Sequence, residues 1–263
     1  MIKRHTKMPR IIVAHYVKLV LRSLLLAVAT VFYILERVSD FSGWNILLVA
    51  AWIVLMAEMI LRFFPSSFES PGCQKQFKKN YIPIDQDRKP VNQSWKATAL
   101  VAAVWLALNG AIGALYFTGV IDRGILILIS LAFSVCDLIC ILYFCPFQTW
   151  FMKNRCCTTC RIYNWDFAMM CTPLLLIPGW YEYTLAGVAL ILLVRWELTY
   201  KLHPERFSTA TNRCVDCAHC QEKLCRHKPQ LRHYLKKNRS RFFAVEKKIT
   251  IEETVPEHQT VGK

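Results

Sequence analysis

Thiols are the residues in this chain with the clearest capacity for chemistry. The stretch NRCVDCAHCQEKLCRHK, Asn212 to Lys228, carries Cys214, Cys217, Cys220 and Cys225. Upstream, NRCCTTCRIYNWD carries Cys156, Cys157 and Cys160, and Cys145 precedes it in YFCPFQ. Two cysteines separated by two residues sit on one tight turn and can reach a single ion. The tail takes that step twice in succession, and three such sulfurs suit three corners of a [4Fe–4S] cluster. Zinc is the rival. Cys157 and Cys160 with Cys214 and Cys217 would make a four-cysteine site of ribbon type. Cys220 and Cys225 would then join Cys145, Cys156, His219 or His227 in a second site. A third reading leaves Cys156, Cys157 and Cys160 as a redox-sensing thiol set.

The tail spacing resembles part of the ferredoxin pattern, Cys-x2-Cys-x2-Cys-x3-Cys-Pro. Four residues instead of three precede Cys225, and Arg226 stands in place of the proline. YFCPFQ, with Cys145-Pro146 at the end of an apolar run, resembles membrane-bound ferredoxin-type quinol dehydrogenases over those few residues. A likeness of that length assigns no family.

The elements that must position these thiols are membrane helices. The chain has 263 residues, 54% of them hydrophobic and 19% charged. A crossing needs about 20 apolar residues. Runs at 17–35, 44–64, 95–118 and 124–144 meet that length. A further apolar region, 167–200, is too long for one crossing and contains the turn signal Pro178-Gly179. It reads as a hairpin of spans 163–177 and 181–200, the fifth being short or re-entrant. The expected fold class is therefore an all-α integral membrane protein with about six transmembrane helices and a small cytoplasmic Cys-rich metal-binding module. The basic N-terminus lacks a small-residue cleavage site after its apolar stretch, so residues 17–35 read as a retained helix.

Charge sets the orientation. The chain has 33 Lys and Arg against 18 Asp and Glu, a net charge of +15. Residues 1–22 carry six basic residues, the loop 65–96 six, the loop 146–166 three and the tail 201–263 fourteen. The opposite side has Arg37 and Arg123. Basic loops stay in the cytoplasm. Both termini are thus expected inside, in a bacterial cytoplasmic membrane, and the excess charge needs no nucleic acid. Asn92 and Asn238, each in a glycosylation-like triplet, would also lie inside and read as chance matches. The domain plan is a basic N-terminus, 1–16, and a membrane domain, 17–200, containing the Cys-rich loop 145–162. A Cys-rich and basic segment, 201–241, and a flexible end, 242–263, follow. Both cysteine clusters would then meet at one membrane face. Disulfides are rare in the cytoplasm, which favours metal, with an Fe–S cluster and zinc both open.

Ionisable residues inside spans cost about 2.5–3.5 kcal/mol each, so each needs a partner. Arg22, Glu58, Asp137 and Arg195 form such a set, with balanced signs and roughly 8–12 Å of depth from the cytoplasmic end. The plain expectation is mutual pairing. The sharper one is a polar site beneath the metal module, with Asp137 carrying a proton or meeting a quinone headgroup. Cys73 reads as a bystander, and Cys136, Cys140 and Cys171 as small apolar packing residues. The basic run 226–241 is expected to attract anionic lipid headgroups. No phosphate-cradling glycine motif occurs, and no Ser/His/Asp set can be argued. The leading functional reading is electron transfer at the membrane, with a quinone or a redox protein as partner. The alternative is a zinc-stapled scaffold, adaptor or transporter component. Whether the chain is an enzyme stays open.

Overall fold

The computed structural model describes residues 10–38, 44–67, 69–84, 88–91, 93–154, 156–220 and 222. The described residues are all helical or irregular, apart from one isolated bridge between Pro83 and Asn212. The long helices are α1 (Arg10–Val38), α2 (Trp44–Leu61), α4 (Trp95–Phe117), α5 (Arg123–Leu142) and α7 (Trp180–Leu202). Two short ones are α3 (Pro71–Gln74) and α6 (Asp166–Cys171). Three of them, α1, α4 and α5, are long and apolar enough to cross a membrane. Within α2, Leu48–Leu61 forms a shorter apolar helix among the described residues. Glu182, Arg195, Glu197 and Lys201 interrupt α7. At 1.5 Å per residue α1 is about 43 Å long, more than the hydrocarbon thickness of a bilayer. The residues before Arg10, the loop 39–43 and the chain beyond Glu222 lie outside the described residues. So do the basic run 226–241, the end 242–263, Cys225 and His227.

Local chemistry explains the helix ends. The α4–α5 turn uses Gly119 at φ 75°, a left-handed position that glycine takes without strain. Asp122 then caps α5, its Oδ1 accepting from Ile125 N at 2.9 Å. That end of the bundle is closed by ion pairs between Arg37 and Asp122 and, at 2.6 Å, between Arg123 and Glu182. Both basic residues expected on that side are thus neutralised by neighbouring acids.

The expected fifth span, 163–177, is built differently from the others. It consists of a 3-10 turn (Arg161–Trp165), α6 and a second 3-10 turn (Thr172–Leu176). Asn164 leaves helical geometry at φ −99°, ψ 16°. Pro173 has no N–H to continue an α-helix. The helix tightens there, and the carbonyl of Met170 accepts from Ser130 Oγ of α5 at 2.6 Å. A backbone group released inside an apolar environment must find such a partner. This broken segment is the centre of the molecule. Phe167, Met170 and Cys171 are each 1% exposed, and α5 and α7 pack along it. The outer faces are apolar instead. Val17, Leu24 and Val31 of α1, Leu106 of α4 and Leu190 of α7 are all exposed. An apolar exterior around a core holding buried charge is what a lipid solvent requires.

Truncating the central ring should therefore cost far more than truncating a lipid-facing chain. Phe167→Ala is expected to lower stability by about 3–5 kcal/mol. Leu106→Ala should leave it nearly unchanged. Thermal unfolding of both variants in one detergent compares them directly.

Candidate functional site

At the end of the bundle away from Gly119, three loop regions pack together. Lys75, just after α3, joins them. It is 1% exposed. Its Nζ donates to the carbonyls of Thr158 at 2.9 Å and Cys160 at 3.0 Å, and it faces the Trp196 and Phe207 rings at 5.2 Å each. Burial pushes its pKa down to about 8, against an upward pull from nearby thiols led by Cys160. Gln93 ties the same segment from the other side. Its Nε2 donates to Thr159 O and its Oε1 accepts from Arg161 N, both at 2.9 Å. Backbone bonds Arg213 N to Ile82 O (2.8 Å) and Ile84 N to Thr211 O (3.1 Å) bring in the segment after α7. Glu222, also 1% exposed, lies 3.4 Å from His15 Nε2 of α1 and accepts from Thr158 Oγ1 at 3.0 Å. Only glycine at position 72 lets the Tyr163 ring lie against α3, because a Cβ there would meet it at 2.8 Å.

Beneath these loops lies a layer of buried ions. Arg22 donates to Glu58 at 2.5 Å and to the Ser134 carbonyl at 2.9 Å, and its Nη1 stands 3.7 Å from Asp137 Oδ2. Arg22, Glu58 and Asp137 are therefore brought together. Arg195 is not among them. It donates to the Phe63 carbonyl at 3.0 Å and lies over the Phe63 and Phe77 rings. A second ion pair, which the sequence reading did not single out, stands beside the first. Arg62 grips Asp166 through two contacts of 2.7 and 2.6 Å and also donates to Asn164 Oδ1 at 2.9 Å. Phe167 lies between the two guanidinium groups, 5.8 Å from Arg22 and 4.5 Å from Arg62. Arg22, Glu58, Arg62, Asp137 and Tyr163 border a cavity of about 10 Å³, the size of one water.

Next to it is a cavity of about 120 Å³ whose wall is rich in sulfur. Cys136, Cys140, Cys145, Cys157 and Cys160 line it, with the thioethers of Met169 and Met170. Asp137 and Asp166 supply carboxylates, and Trp105, Phe133 and Phe147 an aromatic wall. Asp137, Ile141 and Tyr163 border both cavities. Asp137 Oδ2 accepts no hydrogen bond. A single π-helical turn, Phe147–Phe151, follows Cys145-Pro146. It places the buried Gln148 between two thiols. Cys157 Sγ donates to its Oε1 at 2.7 Å, and its backbone N–H points to Cys145 Sγ at 3.4 Å. Such turns recur at functional sites in other proteins.

The tail cysteines are elsewhere. Cys214 borders a separate cavity of about 370 Å³ with Glu69, Lys75, Arg213 and His219. Its N–H is held by Asn212 Oδ1 at 3.1 Å, and burial pushes its thiol pKa up. Cys217 is exposed. Among the described residues no three His, Cys, Asp or Glu side chains stand close enough to hold one metal ion. Cys157, Cys160, Cys214 and Cys217 therefore do not form the four-cysteine site that spacing suggests. Of the expected ligands, Cys145, Cys157 and Cys160 share a cavity, with Cys136 and Cys140 added by α5. Cys156 lies at the start of the 3-10 turn Cys157–Thr159 and does not line that cavity.

Arg62, Lys75, Asp166 and Glu222 were the charged residues that spacing missed. The signal for Arg62 was its place at the edge of an apolar run. Lys75 and Glu222 carry no such mark, since their burial comes from loops folding over them. No protein-family model, curated protein or solved structure matches the chain.

Burial pushes the thiols of Cys73 and Cys160 up to about 12. A raised thiol pKa means less thiolate at a given pH. At pH 8 each should react with iodoacetamide about 1,000-fold more slowly than an unperturbed cysteine, because only the thiolate attacks. Both rates should climb until the pH nears 12, whereas exposed Cys217 should label at once. Peptide mapping of metal-free protein labelled at several pH values reads this.

Proposed function

We propose that the chain is a six-crossing α-helical membrane protein that transfers electrons through a cysteine-held iron–sulfur centre at the cytoplasmic end of its bundle. The two termini lie on that same side. The orientation rests on charge. The loops and termini at the Cys-rich end hold 29 of the 33 Lys and Arg residues. The crossings are α1, α2, α4, α5, the broken segment around α6, and α7.

The observation that carries the function is the sulfur-lined cavity beside Asp137. Thiolate and thioether donors favour copper(I), zinc and iron–sulfur centres over hard cations. A single ion draws its sulfurs to about 2.3 Å and so needs a tight group. Among the described residues no three form such a group, and five cysteines line one cavity instead. That arrangement favours a cluster, where each iron takes its own thiolate. A bound cluster would supply one-electron chemistry. Cys140, Cys145, Cys157 and Cys160 would hold it, after losing their protons to the surroundings. Gln148 orients both sulfurs in the thiol state; once the protons leave, its backbone N–H can still donate to the Cys145 sulfur, whereas the Cys157 contact, which uses the thiol proton, is lost.

The cavity reaches the surface of the bundle beside Cys136, which is exposed. That opening suits a quinone dissolved in the bilayer. Trp105 and Phe133, packed on each other with ring centroids 4.8 Å apart, would form one aromatic wall beside its ring. Asp137 Oδ2 lacks a hydrogen bond and is placed to take a quinol proton. The basic run 226–241 would add attraction to anionic headgroups.

The test is elemental analysis and a visible spectrum of protein purified from membranes without oxygen. Iron with matching acid-labile sulfide and a broad visible band is expected, lost in Cys145→Ser and Cys160→Ser but kept in Cys73→Ser. Asp137→Asn should keep the iron and slow quinol-linked reduction by about 100-fold. Stoichiometric zinc without colour would replace electron transfer with a zinc-fastened scaffold. Absence of both metals would return the cysteines to thiol chemistry.

A further inference from the structure

A groove of about 700 Å³ runs along the outer face of α7 toward the Cys-rich end. Its long wall is a stripe of Leu190, Ile191, Val194 and Leu198, whose three- and four-residue spacing puts them on one helix face. Each is about half exposed, from 48% to 57%. From Leu190 to Leu202 the helix rises about 18 Å, close to the apolar depth of one leaflet. The other end of the groove is cationic. Lys78, Arg195 and Arg206 line it with the His203 ring, and among the described residues no carboxylate does.

The cations are not equal. Glu205 lies 3.2 Å from His203 Nδ1 and 3.9 Å from Arg206 Nε, which partly neutralises that pair. Among the described residues Arg195 has no carboxylate contact. One of its donors is used on the Phe63 carbonyl, and the rings of Phe63 and Phe77 hold its guanidinium plane. A guanidinium fixed in this way presents its remaining N–H groups as a preformed fork, which suits a phosphate. Lys78 stands exposed beside it.

We propose that this groove binds one anionic phospholipid of the leaflet at the Cys-rich end. Its phosphate sits at Arg195 and Lys78, and an acyl chain follows Val194, Ile191 and Leu190. Polarity and charge agree along one axis. The inference needs the chain to lie in a bilayer but does not depend on the metal centre, so it stands or falls separately.

Native mass spectrometry of the full chain in detergent tests it. The probes are dimyristoyl phosphatidylglycerol, dimyristoyl phosphatidylcholine and inorganic phosphate. One tightly retained phosphatidylglycerol is expected, with weaker retention of phosphatidylcholine and none of phosphate. Lys78→Gln lies on an exposed turn and should weaken that lipid about 5-fold, and Lys78→Gln with Arg195→Gln about 30-fold, following the usual increment per basic residue. Lipids held by the basic tail would be retained equally by all variants and so do not enter the comparison. Equal retention of phosphatidylcholine, equal binding of free phosphate, or unchanged phosphatidylglycerol binding by Lys78→Gln would each overturn the proposal.

Discussion

An ion sunk in an apolar interior must bring its counter-ion with it. Removing one member of a buried pair leaves a charge whose desolvation nothing offsets, a loss of about 3–5 kcal/mol. In this protein the counter-ions come from different helices. Arg22 of α1 finds Glu58 on α2 and stands near Asp137 of α5. Arg62, at the end of α2, finds Asp166 on α6. Each pair selects which helices become neighbours, which nonspecific apolar packing cannot do as sharply. Both guanidinium groups also approach the Phe167 ring. The pairs thus hold α6 in the centre, and α6 in turn supplies Met169, Met170 and Asp166 to the sulfur-lined cavity.

Two kinds of chemistry meet at this end of the molecule. On the inner side, thiols and aromatic rings surround a cavity with few polar atoms. On the outer side, Lys75, Glu222 and His15 join the loops through buried polar contacts. Asp137 and Tyr163 stand between the inner cavity and the one-water cavity among the ions. A proton arriving from the loop side would therefore meet charged groups first and sulfur last. Lys75 couples the two sides mechanically, because the carbonyls that it holds belong to the segment carrying Cys157 and Cys160.

The long helices were legible in the sequence because hydropathy is local. Each of the runs starting at Val17, Trp44, Trp95 and Gly124 has a helix within a few residues of it. Arg22, Glu58 and Asp137 were legible as a layer because depth follows from counting along a helix. Arg195 had the same depth but a different fate. Depth says nothing of the direction in which a side chain leaves its helix. The broken centre was only half legible. Pro173 and Asn164 mark its interruptions, yet nothing along the chain says that it packs inside all the others. The thiols show the same limit. Spacing identified Cys157 and Cys160 as a pair. Their meeting with Cys136 and Cys140 depends on how α5 packs against the loop, and no local spacing encodes that.

The central segment also constrains how the protein is made. Insertion machinery sorts nascent segments by their apolarity, and this one is short, kinked and headed by Asp166. The helices α1, α4 and α5 are long and apolar enough to cross a bilayer, but the Asp166 carboxylate has no counter-ion until Arg62 is in place. Biogenesis should therefore proceed from the outside inward, with the α6–α7 hairpin arriving last into a ring of earlier helices. The final step of assembly would then also be the one that closes the sulfur-lined cavity. Any group too large for its mouth would have to be built in situ or loaded before that closure.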